Sequence, residues 1–570
     1  MSKNSVPNSA AGALPKLCGA DIELGNFIVG MEPSSDTGYR ASRALLAEIR
    51  GLPVGRNGCN GFGYSGKDYY GHGHGGSGYY GEGFTPPSGA RSAGEKTHAG
   101  LYPVNRQLSY DSQDVSRRYL ANNGGCAYID LDHVEICLPE VLSAFDHVAA
   151  WHAMLRLART ALRAANRRLA GSQRIQVLVN NSDGQGNSYG SHLNFLIRRR
   201  TWDNIFCRKA HYLQFLASFQ VSSIPLTGQG KVGAENGRPA VPYQLSQRAD
   251  FFATLHGPWT TFDRPIVNSR DETLCGRNRF DDPSAPARLH VIFFDSALAH
   301  GSALFRVGLM QLILTLIELG LVNPHLILDD PLDAVLAYSR DPTLQARAEL
   351  ISGSCFTALE LQSAYLDEVK RHAARGVFEG IVPFAEQIIA LWEDTLEKLA
   401  KGDWTAIAPR LDWVMKLMAI ERTMQQHREL DWDSPEIKVL DHLYSSLDDD
   451  GLYWVYEASG FAEKLVPNKR IAHFLANPPD DTRAWTRAML LRRAAPEDVV
   501  SVDWDAMTFK LRGRYNWPSY RTVNLADPLG FTRAEAEPIF ENARSLESLL
   551  GALEALSSRA AQPLTIQLAN

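Results

Sequence analysis

Two short stretches concentrate side chains that could do chemistry. "GADIELG" (19–25) sets Asp21 and Glu23 two residues apart, and "YIDLDHVEICLPE" (128–140) carries Tyr128, Asp130, Asp132, His133, Glu135 and Glu140. In a β-strand, residues two apart point the same way, so acids at this spacing converge without any loop rearrangement. Several carboxylates in one cleft repel one another unless a cation neutralises them. Hard oxygen donors of this kind suit Mg²⁺, commonly with nucleotide phosphates completing its coordination. Arg264, Arg270 and Arg288 would then clamp phosphate or stabilise charge. Taken singly, each arginine is more ordinarily a partly exposed ion pair; the acidic segment, flanked by apolar runs, reads equally well as a solvated strand edge. There is no GxxxxGK[ST] loop, no GxGxxG after a strand, no GxSxG elbow and no zinc-spaced His/Cys set. The residues by themselves reach a metal–nucleotide site on an antiparallel sheet and go no further.

The elements that must position these groups follow from patterning. The chain has 570 residues and a net charge of −6, a balance that predicts no general affinity for nucleic acid or an anionic membrane. Residues 1–15 read as a disordered leader without the apolar core of a signal peptide. The stretch 303–322 is apolar but interrupted by Arg306 and Glu318, and reads as a buried helix rather than a membrane span. Seven scattered cysteines without CxxC pairing fit free thiols in a reducing, cytoplasmic setting. Strands are expected over 19–29, over 125–138 as one acidic strand, and at 174–180 and 191–199 as a hairpin. More strands are expected in "QLSQRADFF", "FDRPIVNSRDE" and "RLHVIFFDSALA", and helices over 39–52 and 140–170. The glycine- and tyrosine-rich segment 53–116 cannot build a core and reads as an inserted loop, its His72 and His74 most simply facing water. Beyond about 303 the chain is mostly helical, and a break at 477–485 marks a small C-terminal domain, 484–570, opening on strands. The expected architecture is α+β: a mostly antiparallel sheet with acids and arginines on one face and helices on the other.

The order and spelling of these segments resemble the Pup ligase and depupylase (Pup deamidase) family, a branch of the glutamine-synthetase-like carboxylate–amine ligases. "GADIELG" is similar to the family's G-I-E-T-E-Y-G, "NGGCAYIDLDHVEICLPE" to N-G-A-R-L-Y-V-D-x-x-H-P-E-Y-x-x-P-E, and "NNSDGQGNSYGSHLNFL" to N-N-T-D-N-K-G-x-S-Y-G-S-H-E-N-Y-L. "TTFDRPIVNSRDE", "RLHVIFFD", "LDWVMKL", "LDWDSPEIKVLD" and "PPDDTRA" have counterparts in the same order. The resemblance implies a glutamine-synthetase-like catalytic domain over 16–483 whose concave sheet binds ATP and Mg²⁺. Family ligases activate the C-terminal glutamate of a small disordered modifier and join it to a lysine. Depupylases hydrolyse that isopeptide bond or deamidate a C-terminal glutamine. The partner implied is thus a Pup-like modifier, or a peptide ending in Glu or Gln, together with modified proteins.

Residue by residue, the resemblance puts Asp130 at the catalytic aspartate, the base in ligases and the proposed nucleophile in depupylases. Tyr128 and Glu135 match Mg²⁺-ligand positions, Asp21 occupies a third where glutamate is usual, and Glu23 joins them as a candidate metal ligand. Trp504 matches a tryptophan that contacts ATP, with Arg264 and Arg270 as further nucleotide-binding candidates. His133, His192, Arg288 and Asp295 complete the candidate site. The chain departs from the family at Cys126, where an ATP-contacting arginine is usual, at Leu138, and at Leu193 in place of the glutamate of H-E-N. Ala297, Ala299 and His300 alter the G-D-A-N-x-S-E pattern. The insertion 53–116 and the spelling "LDWDSP" lean toward the depupylase branch, making the expected activity an ATP- and Mg²⁺-dependent amidohydrolase, with an isopeptide ligase or a weakened binding homologue as alternatives.

Overall fold

The computed structural model describes residues 12–30, 36–53, 117–276, 279–513 and 517–560. Most of the leader, Cys59 and nearly all of the insertion with His72 and His74 lie outside them. The long strand β1 (Cys18–Val29) alternates: Ala20, Ile22 and Leu24 enter the core, while Gly19, Asp21 and Glu23 face the opposite side. Helix α1 (Thr37–Glu48), the short strands β2 (Leu52–Pro53) and β3 (Arg118–Tyr119), and strands β4 (Cys126–Asp130) and β5 (His133–Cys137) come after it. Helix α2 (Ala144–Asn166) starts where the Ser143 side chain accepts bonds from the Phe145 and Asp146 amides. Strands β6 (Arg174–Leu178) and β7 (Leu193–Arg198) come next. Strands β8 (Phe252–Gly257), β9 (Arg264–Asn268) and β10 (Pro286–Val291) lead to helix α3 (His300–Glu318).

The main sheet has the order β10-β7-β1-β5-β4-β3-β2, with β6 also on β1, and all its pairings are antiparallel. The architecture is α+β, as expected, with α1, α2 and α3 packed against the strands. The acidic segment is two strands rather than one. Leu131, at φ 50°, turns the chain back on itself, so β4 and β5 form a hairpin with Asp130 opposite His133. The expected 174–180/191–199 hairpin does not form either. β6 pairs with Gly25–Val29 of β1 and β7 with Cys18–Ala20, because β1 is long enough to template both. The strand expected over "QLSQRADFF" does not form: Ala249–Phe251 make a 3-10 turn, and β8 starts only at the segment's last residue, Phe252. "FDRPIVNSRDE" contributes β9, which pairs parallel to β8 outside the main sheet.

Helix α3 is buried along almost its whole length, so its apolar character serves the core. Arg306 within it stacks 3.8 Å above the Trp151 ring and donates to Ser191 Oγ at 2.8 Å. At its C-terminal end Glu318 pairs with Lys16. Leu193, in the usual glutamate position, is fully buried in the sheet's core side. A second apolar cluster joins Trp485, Leu490, Met507, Phe509 and Leu549 of the C-terminal segment to Tyr119, Cys126, Tyr128 and Cys137 of the sheet. The six described cysteines are free thiols.

Candidate active site

The sheet register brings the acids together. Glu23 lies opposite Glu135 and Glu135 opposite Tyr128, a row running across β1, β5 and β4. The next row is Asp21, Cys137 and Cys126. Carboxylate oxygens of Glu23, Asp130 and Glu135 lie within 4.8 Å of one another. Burial, together with the charges of Asp21, Asp130 and Glu23, drives the Glu135 carboxyl well above the usual range. Three crowded carboxylates, one of them buried, form a donor set whose repulsion a hard divalent cation relieves, so these residues fit Mg²⁺.

These rows line a cleft with a cavity volume of about 240 Å³. Its walls include Asp21, Glu23, Tyr128, Asp130, His133, Glu135, His192, Arg264, Arg270, Arg288 and Trp504, so eleven of the twelve candidates converge. The exception is Asp295. Its carboxylate accepts the backbone N–H groups of Gln229 and Gln247 at 2.9 and 2.8 Å and the Ser246 hydroxyl at 3.0 Å. It is buried outside the cleft lining, where it ties three loops together. Its place beyond the end of β10 explains why: the strand stops at Val291, and the chain turns into the core before reaching Asp295.

Local bonds fix the cleft. His192 Nδ1 sits 3.0 Å from Asp21 Oδ1, and the Gly190 N–H donates to Glu23 Oε2 at 2.8 Å. A Cβ at position 190 would lie 2.4 Å from His192 Nε2, so any larger residue there would displace the His192 ring. His133 places Nδ1 3.0 Å from the Leu24 carbonyl and packs on the Tyr189 ring. Arg264 donates to the Thr260 and Ser188 carbonyls at 2.8 and 2.6 Å; burial, then the neighbouring Arg248 guanidinium, lowers its pKa to about 9. Arg270 and Arg288 both bind Glu272, at 2.9 and 3.3 Å, and Arg288 also donates to Asn194 Oδ1. Trp504 packs edge-on against Tyr119 and beneath the Arg487 guanidinium.

Glu140 is in the acidic motif yet does different work. Arg483 and Arg487 hold its carboxylate at 2.8 and 2.5 Å, tying the sheet to the helix Ala484–Arg493. Asp132 lies in the turn, and its carbonyl accepts bonds from Asn26 and Ser42. Sequence reasoning missed His290, Glu272 and Arg117 in the cleft lining. His290 meets the His192 ring at 5.1 Å, and burial with the nearby Arg288 holds its pKa well below the usual value. A histidine inside the apolar run "RLHVIFF" carries no spacing signal that would have singled it out.

The comparisons decide the family. The Pup-ligase protein family pattern matches residues 91–508. The chain belongs to the Pup-ligase family. It is 34% identical over 445 residues to the Pup deamidase/depupylase of Mycolicibacterium smegmatis, covering 77% of this chain and 84% of that one. The depupylase of Acidothermus cellulolyticus is 33% identical over 76% of this chain and 83% of its own. A Pup–protein ligase of Xylanimonas cellulosilytica is 34% identical over 65% of this chain and 77% of its own. Among solved structures, the complex of Pup with its ligase PafA matches with a TM-score of 0.70 at 22% identity, covering 97% of this chain and 99% of that one. PafA bound to ADP matches at 0.63 and 24% identity, over 84% of this chain and 97% of its own. The fold is therefore that of the Pup ligases, and the named relatives are enzymes of two kinds, hydrolytic and ligating.

Proposed function

We propose that this chain is an ATP- and Mg²⁺-dependent amidohydrolase acting on the C-terminal Glu or Gln side-chain amide of a Pup-like modifier, free or joined to a protein. The observation that carries this is the convergence of Asp130 with Glu23 and Glu135 inside one cleft. Glu23, Glu135 and Tyr128, with Asp21 alongside, would hold the Mg²⁺, which supplies charge neutralisation and polarisation of phosphate and carbonyl oxygens. Asp130, at the end of β4 beside the turn, presents its carboxylate to the substrate carbonyl. It attacks the amide carbon, the C–N bond breaks, and the amine or ammonia leaves; water then releases the γ-carboxylate and restores Asp130. Trp504 would pack against the nucleotide, and Arg264, Arg270, Arg288, His133 and His192 would orient phosphate and substrate oxygens.

The ligase reading draws support from the Pup–protein ligase relative and from the PafA fold matches. The hydrolytic reading draws support from depupylase relatives aligned over a larger share of the chain. Purified protein with Mg²⁺ and ATP, given a Pup-like peptide ending in glutamine, should release ammonia with little net ATP loss. ADP formation coupled to a new amide, from a peptide ending in glutamate plus an amine, would overturn the hydrolytic reading in favour of ligation.

A further inference from the structure

Strand β3 presents a second set of side chains to the cleft. Its register with β4 places Tyr119 opposite Cys126 and Arg118 opposite Ala127, so the next position, Arg117, falls in line with Tyr128. The row Glu23, Glu135, Tyr128 is thereby extended by a cation. The Arg117 guanidinium lies 4.0 Å above the Tyr128 ring, its residue is only 9% exposed, and it lines the cleft. Tyr119, on the same face, packs against Trp504. The Arg117 guanidinium also lies near enough to Asp503, the neighbour of Trp504, to favour its carboxylate. It therefore lines the cleft between Tyr119, which packs on Trp504, and Tyr128, which lies opposite Glu135.

We propose that Arg117 is a nucleotide-binding residue whose guanidinium contacts the phosphate chain of a nucleotide spanning Trp504 and the Glu23–Asp130–Glu135 cluster. This rests on the metal–nucleotide reading of the cleft. A planar, doubly donating cation held over an aromatic ring is preorganised for phosphate oxygens. The residue also repairs a departure noted in the sequence. Cys126 is fully buried, with a thiol that burial pushes up to about 12, and it supplies no cation at its position. Arg117 brings one to the adjoining row from a different strand.

The test is calorimetric titration of the unaltered full chain, Arg117→Gln and Arg117→Lys with ATP plus Mg²⁺ and, separately, with adenosine. Arg117→Gln should weaken ATP binding about 10- to 100-fold while adenosine affinity stays within about twofold. Arg117→Lys, which keeps the charge but loses the planar, doubly donating group, should lose about tenfold or less. ATP affinity unchanged in Arg117→Gln, or an equal loss for ATP and adenosine, would overturn the role of Arg117 alone. Failure of the unaltered chain to bind ATP with Mg²⁺ would overturn the nucleotide reading itself, and this inference with it.

Discussion

Glu140 offers a quantitative test of how the cleft is held together. Burial alone would raise its carboxyl; the Arg487 and Arg483 guanidinium groups outweigh that and hold it at about 2, against an ordinary 4.5. That depression corresponds to roughly 3 kcal/mol of stability at neutral pH. The sign comes from linkage: the unfolded chain binds this proton more readily, so the contribution is complete above pH 4.5 and lost as pH falls toward 2. Glu140→Gln leaves two buried guanidinium groups facing a neutral amide. It should lower unfolding free energy by about 3 kcal/mol at pH 7, measured by urea denaturation tracked through tryptophan fluorescence. Near pH 3 the gap between the unaltered protein and Glu140→Gln should shrink to about 1 kcal/mol, because much of the linkage contribution has been lost by then. A gap under about 1 kcal/mol at pH 7, or one that does not narrow with acid, would refute the clamp.

Two further outcomes rest on the geometry. Asp295→Ala should cost about 2–4 kcal/mol in urea unfolding, since it strands two buried backbone N–H donors; ATP affinity should stay within about threefold, and lost turnover at unchanged stability would return Asp295 to the cleft. Glu135→Gln should raise the Mg²⁺ concentration for half-maximal ATP binding about tenfold or more, because it removes one of three converging carboxylates; an unchanged Mg²⁺ requirement would contradict the cluster as the metal site.

Much of this site was legible in the sequence. The two-residue spacing of Asp21 and Glu23 sufficed to place both on one face of β1, and the burial of Ile22 and Leu24 on the other confirms it. The hairpin was not legible, because Leu131 adopts a left-handed conformation that glycine or asparagine would have signalled and leucine does not. The row Glu23–Glu135–Tyr128 depends on register between strands separated by about a hundred residues, which no local pattern encodes. Glu140 looked like another site acid because its partners, Arg483 and Arg487, lie more than three hundred residues away. Asp295 kept its motif position, but the chain beyond β10 bends into the core, so spelling alone misplaced it.

The central claim is that Asp130 performs the chemistry on a substrate held beside the carboxylate cluster. Its most direct test is a single-turnover assay of Asp130→Asn with ATP, Mg²⁺ and a Pup-like peptide ending in glutamine. Ammonia release should fall by about a thousandfold or more while ATP affinity and the urea midpoint stay close to those of the unaltered protein. Release within about tenfold of the unaltered rate would contradict the account.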